Sequence, residues 1–376
     1  MYKSLFFLLI TIFTAHNIYA ANQQPSQKSA TAPTTIKTET KKEKSAAAAV
    51  KSKAPQKPAT VTIAAVGDMM VGNWGENLLA KNGANYPFEK VAKYLQKADI
   101  ATGNLEGPHC TTGKAMEKRF TFKIKPSYLS GYKWAGFDVL TVSNNHAMDY
   151  GAKCFLQSNA AVEKLGIKVC GGGKNLSDAN KPAVIERNGI SVAVLGYSAT
   201  YPKEAWANTK RAGTVYPERS RVISAVSKAA KKHDLVVVHF HWGGEGRKDP
   251  KQYQKNLAHL AIDHGADLII GHHPHILQGI ESYKGRLIFY SLGNFTFASY
   301  TKRSKTSAIA NVTLNKDGTL NKASVIPLNI YNYQVHLQPI PLPEDPSILS
   351  ELRKISGMIG KGTPAKIGKD GSISLK

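Results

Sequence analysis

Five short apolar runs in this chain each end on residues that can bind a metal, and this recurrence limits the fold more than any other feature. The run over 61–66 leads to Asp68, and that over 99–102 to Asn104 and Glu106. The run over 137–142 leads to Asn144, Asn145 and His146, that over 235–238 to His239 and His241, and that over 267–270 to His272, His273 and His275. Short runs rich in β-branched residues and bounded by turn residues read as buried strands. Open α/β sheets hold their ligands at the carboxyl ends of such strands. Helical periodicity over 86–97, 153–165, 219–232 and 252–264 falls between the runs, which predicts an α/β fold.

Carboxylate, amide oxygen and imidazole together form a ligand set for Mn, Fe or Zn. One or two such divalent ions can clamp a phosphate or activate a water. Each residue also has an ordinary alternative. Asp68 can cap a helix, Asn145 can sit in a turn, and Glu106 can be a solvated carboxylate. His239 and His241 can be buried and satisfied. Coincidence at five strand ends is a weaker account than one shared site. His259 and His264 fall within a helical stretch and read as structural.

Residues 1–20 have the layout of an export signal: Lys3, an apolar core over 5–13, and Ala20 for cleavage. The core is shorter than the ~20 residues needed to span a bilayer, so the expected destination is the periplasm or cell envelope. Residues 21–60 contain no aromatic side chain and are rich in Ala, Lys, Thr and Pro, as in a flexible basic tether. The folded domain is expected over 61–340. Runs at 308–314 and 323–328, around Lys316-Asp317-Gly318, predict a terminal antiparallel pair. Residues 341–376 are polar and rich in Gly and Lys, which predicts a loosely ordered tail.

Lys and Arg number 50 against 26 Asp and Glu, a net charge of +24. The first 60 residues hold nine Lys and two Glu, which leaves +17 on the remainder. The basic balance is therefore not confined to the tether. Such a surface attracts nucleic acid, anionic lipid or an acidic polymer. No nucleic-acid-binding motif accompanies the charge, so no specific nucleic-acid partner is expected. Three cysteines, Cys110, Cys154 and Cys170, allow one disulfide at most and leave the pairing open.

Six ordered motifs over 61–297 carry a resemblance. They are Gly67-Asp68, Gly103-Asn104-Leu105-Glu106, and Asn144-Asn145-His146 with Asp149 and Gly151. His239-Phe240-His241-Trp242-Gly243 with Glu245, Gly271-His272-His273-Pro274-His275 and Tyr290-Ser291-Leu292-Gly293-Asn294-Phe295 complete the set. The chain resembles the poly-gamma-glutamate synthesis protein CapA family, a branch of the calcineurin-like metallophosphatase superfamily. The resemblance implies a four-layer αββα sandwich of two mixed sheets with outer helices. It implies Asp68, Glu106, Asn145, His239 or His241, His273 and His275 as metal ligands, with His146 as acid or phosphate contact beside Asn145. Asn104, Asn144, Glu245, His272 and Asn294 would line the site.

Two departures qualify the likeness. Met70 stands where ordinary metallophosphatases have His, and Asn104 where they have Asp, so one metal position is weakened or rebuilt. The expected function is an exported metal-dependent hydrolase of a phosphoester or related bond. The alternative is a non-catalytic component of capsule or polyglutamate assembly. It would bind an acidic polymer and work beside membrane-bound synthesis machinery.

Overall fold

The computed structural model describes residues 59–331 and 337–376. The export signal, and the basic tether up to residue 58, lie outside the described residues.

Strand residues sort by parity into separate cores. On the strand Leu235–His241, Leu235 and Val237 enter one core while Val236, Val238 and Phe240 enter another. The strand Leu268–His272 divides likewise, with Leu268 and Ile270 on one face and Ile269 on the other. On Thr60–Met70, Val61, Ile63 and Ala65 meet Leu235 and Val237 in the shared core, whereas Ala64 and Val66 enter a third. Strands covered on both faces need apolar side chains at every position, which is why these runs are continuous rather than alternating.

Helices cover the two outer cores. Leu129–Ala135 and Gly151–Lys164 supply Leu129, Tyr132, Phe155 and Val162 outside the first sheet. Arg219–Ala230 and Gln252–Asp263 supply Val222, Val226, Ala258 and Ala261 outside the second. The result is the four-layer sandwich of two mixed sheets with outer helices that the resemblance implies.

The first sheet runs Leu320–Asn329, Thr306–Asn315, Thr60–Met70, Ile100–Leu105, Val139–Thr141, Lys168–Cys170, parallel from Thr60–Met70 onward. The Thr60–Met70 strand changes partner along one edge. Thr60 to Ala65 pair antiparallel with Thr306–Asn315, and Asp68 and Met70 pair parallel with Asn294–Phe297. This exchange puts Asp68 level with Asn294 on one side and Asn104 on the other. It requires close approach: a Cβ on Gly67 would lie 1.8 Å from the Gly293 carbonyl oxygen. The second sheet runs Ile280–Tyr283, Arg286–Phe289, Leu268–His272, Leu235–His241, Ile190–Ser198, Ala183–Arg187. Its register sets His241 beside His272.

The tail departs from expectation. Residues 346–356 form the helix Pro346–Ser356, whose Ile348, Leu349, Leu352 and Ile355 enter the core between the sheets. Lys366–Ile367 and Ser372–Ser374 extend the first sheet, so the folded unit continues beyond residue 340 to the end of the chain. Composition hid a helical apolar stripe, an Asp345 cap that accepts from Ser347 and Ile348, and a proline at the first helical position. Cys110 and Cys154 form a disulfide, and Cys170 is a buried free thiol.

Candidate metal centre

The polar residues at the strand ends meet above the carboxyl edge of both sheets. Asp68, Glu106 and His241 bring one ligand atom each within 4.8 Å of one another, and Glu245, His273 and His275 form a second such group. Asp68 and Glu106 are wholly buried. Glu106 Oε1 accepts no hydrogen bond among the described residues. It lies 3.7 Å from His275 Nε2 and 3.9 Å from His146 Nε2. A buried carboxylate oxygen without a donor is costly, and a cation placed among these atoms would satisfy it.

The loop carrying the last histidines is held in an uncommon conformation. His273 and His275 both have positive φ, 93° and 58°, on either side of Pro274. Non-glycine residues adopt this region at a cost, and such strain collects at functional sites. The His273 amide donates to Asp68 Oδ2 at 3.1 Å and fixes the loop on the first strand. His275 Nδ1 donates to Asn294 Oδ1 at 2.8 Å, which leaves Nε2 directed at Glu106. His241 Nε2 and Asn145 Oδ1 converge to 2.7 Å.

Asn104 stands between Asp68 and Glu106. Its Nδ2 donates to Asp68 Oδ1 at 2.8 Å and to Glu106 Oε2 at 3.1 Å. A carboxylate there would face two others; the amide bridges them. Asn144 supports this bridge by donating to Asn104 Oδ1 at 3.0 Å and to the Leu105 carbonyl at 2.9 Å. Met70 is wholly buried and packs in the outer core.

His239 stands behind the cluster, in neither group. Its Nε2 is 3.1 Å from Thr102 Oγ1 and its Nδ1 is 2.9 Å from His272 Nε2. His272 Nδ1 in turn faces Asp68 Oδ1. Of the two histidines on that strand, the structure brings His241 to Asp68 and Glu106, and leaves His239 in a buried chain of side chains that supports them.

Sequence reasoning passed over Lys118. Its ammonium pairs with Asp149, and it donates to the Asn145 carbonyl at 2.9 Å. Asp149 Oδ2 also accepts from His146 Nδ1 at 2.7 Å, and Phe122 stacks on the His146 ring at 4.0 Å. Lys118 lies in an irregular segment with no adjacent motif, so nothing local distinguished it from other surface lysines.

Burial and charge oppose one another across the cluster. Burial pushes the Glu106 carboxyl up to about 8, with Asp68 and Glu245 adding to the rise against the pull of His275. Burial also works to raise Asp68, but contacts from His272 and His275 outweigh it and hold the group well below the usual range. Burial lowers His241 and His273, which keeps them in the neutral form a metal requires. His275 is raised to about 10 because Glu106 and Asp68 outweigh its burial. Two carboxylates, an amide oxygen and the neutral imidazoles of His241 and His273 suit a borderline divalent ion such as Mn, Fe or Zn, and His275 gives up a proton to join them.

The family model for the bacterial capsule synthesis protein PGA_cap matches residues 62–299. The chain is 34% identical over 312 residues to the PGA biosynthesis protein CapA of Bacillus subtilis, covering 81% of each chain. It is 36% identical over 278 residues to the capsule biosynthesis protein CapA of Bacillus anthracis, covering 72% of this chain and 67% of that one. Among solved structures it is similar to the NAD nucleotidase of Haemophilus influenzae, with a TM-score of 0.44 and 12% identity over 81% of this chain and 60% of that one. A 5'-nucleotidase precursor from Thermus thermophilus gives a TM-score of 0.42 and 14% identity over 72% and 54%.

Proposed function

The chain belongs to the bacterial capsule synthesis protein PGA_cap family, and on that premise we propose that it is an exported, metal-dependent hydrolase of a phosphoester or related bond in capsule or polyglutamate assembly. One observation carries the reading: side chains from separate strand ends converge on Glu106 Oε1, a buried carboxylate oxygen with no donor among the described residues. Asp68, Glu106, Asn145 and His241 would hold one ion, and His273, His275 and Glu245 a second. A divalent ion bound there supplies Lewis acidity towards a phosphoryl or carbonyl oxygen.

The chain's own residues handle the proton. His146 Nδ1 donates to buried Asp149, so its Nε2 is the free face and points towards Glu106. Asp149 fixes the ring and stabilises its charged form, as an orienting carboxylate does for a general acid. A proton on Nε2 can pass to a departing oxygen, leaving His146 neutral. Phe122 covers the ring and limits its contact with water. Export is supported by the apolar run over 5–13 and by the Cys110–Cys154 disulfide, which suits an oxidising compartment. Among the described residues no helix is long and apolar enough to cross a membrane.

Met70 supports a second reading. With Met70 packed in the outer core, the first strand gives the grouped ligands Asp68 and no imidazole, which favours a polymer-binding component that retains the scaffold without turnover. Metal analysis of the purified protein and an assay on generic phosphoesters separate the two. Turnover by metal-loaded protein that is lost in His146→Gln supports the hydrolase. Stoichiometric metal with no turnover favours the binding component.

A further inference from the structure

Three cavities reach the metal-ligand cluster; one of them, of about 540 Å³, opens at Asn145, His146 and Glu245 and joins the other two by sharing Phe120 with one and Tyr201 with the other. Of those two, one, of about 320 Å³, has aromatic walls of Trp74, Phe120, Phe122, Phe297 and Tyr300, and reaches His146 and His275. The other, of about 850 Å³, is lined by Tyr201, Tyr216, Tyr253, Arg219 and Lys251, and reaches Asn145 and His273. Glu245 lines both, and they share no other lining residue. They therefore form two arms that both reach the cluster and are otherwise lined by different residues.

Each arm is built for contact. Trp74 and Tyr300 are 51% and 60% exposed yet pack edge to face at 5.4 Å. In the other arm Tyr201 is 68% exposed, and Trp206 packs against both Tyr216 and Tyr201, at 4.3 and 5.5 Å. Large aromatics left in water beside a polar cluster mark a ligand surface, and their faces accept flat groups such as amides. Charge follows the same plan. With Glu245 counted in the cluster, the first arm has Arg303 as its charged group. The second has Arg219 and Lys251 against Glu218, which is already paired with Arg221 at 2.9 Å. Among the described residues neither Arg303, Arg219 nor Lys251 forms an ion pair with a carboxylate. Both arms are thus aromatic and net positive, and a cation-binding cluster separates them.

We infer that the two arms bind one continuous acidic, amide-linked chain on either side of the cluster, so that an interior unit rather than a chain end lies against His146. This rests on the reading that the protein handles an acidic polymer. Recognition of a chain end needs one arm and a group to read the terminus. Two similar arms instead give a long chain two linked contacts, and linkage raises affinity without any new kind of contact.

The test uses the metal-loaded protein and γ-linked glutamate oligomers, from the dimer to chains long enough to span both arms. Binding is followed by calorimetry and tryptophan fluorescence. Affinity should climb with length beyond what one arm holds. Trp74→Ala and Tyr216→Ala, both at exposed rings, should each weaken long oligomers roughly threefold to tenfold. The double variant should bind long oligomers no better than short ones. Oligomers that bind with affinity independent of length, or that respond to one arm alone, overturn the two-armed chain and leave polymer binding standing. Failure of every oligomer to bind at low salt overturns polymer binding itself, and the inference with it.

Discussion

His272 Nδ1 lies 3.3 Å from Asp68 Oδ1, beneath the cluster and sealed from solvent. The approach is electrostatic rather than a hydrogen bond, and behind it His272 bonds to His239 and His239 to Thr102, so the Asp68 carboxylate rests on a buried chain of three side chains. Burial keeps His239 neutral, with one donor and one acceptor to pass along the chain. Groups that orient ligands in this way affect metal affinity about 10- to 100-fold. His272→Ala is therefore expected to weaken metal binding by that order. His272→Asn, which keeps a donor near the Nδ1 position, should restore part of it. Calorimetric titration of each variant with Mn or Zn checks this; unchanged affinity in His272→Ala would remove the orienting role.

A pH prediction follows from Glu106, with its carboxyl pushed from 4.5 up to about 8 by burial. Between those values the folded, metal-free protein holds a proton that the unfolded chain has released. Stability of the metal-free protein should thus fall as pH rises through this window. An ion must displace that proton, and a second from His275 where that imidazole binds, so metal affinity should rise with pH through this window by about tenfold per unit for each proton released. Titrations in two buffers of different ionisation enthalpy count the protons released. A count of zero near neutral pH contradicts the assignment of Glu106 as a ligand.

The strand ends were legible because chemistry and periodicity coincided there. Asp68, Glu106, His241, His273 and His275 each follow an apolar run, and the fold brings those runs to one edge. What was not legible depended on contacts distant in sequence. His239 and His241 stand two apart on one strand, yet the local pattern cannot say which faces Asp68 and which faces Thr102. Lys118 reaches Asp149 across an irregular loop. The tail was misread because its Gly and Lys content masked apolar residues at helical spacing.

That tail supplies a stability prediction. Leu352 is 1% exposed and packs between the sheets. Leu352→Ala should cost about 2–5 kcal/mol, as core truncations do, with metal content unchanged. Denaturant unfolding of the metal-free protein measures it. A cost near zero would mean the helix contributes nothing to the core.

The last prediction separates the proton-handling role of His146 from metal binding. Asp149 accepts from His146 Nδ1 and pairs with Lys118. Burial lowers His146; Asp149 works against that fall, and the Lys118 charge adds to it. The two neighbours should therefore move the imidazole in opposite directions. Asp149→Asn should lower its titration midpoint, and Lys118→Met should raise it. Neither residue is among the grouped metal-ligand atoms, so metal content should hold in both variants. If the protein turns over phosphoesters, Asp149→Asn should also cut kcat by about 10²–10⁴, the range for general acid–base groups. NMR titration of the His146 ring reads the midpoints directly, whether or not there is turnover. Equal midpoints in wild type and both variants would leave Asp149 and Lys118 as packing groups and His146 without its orienting partner.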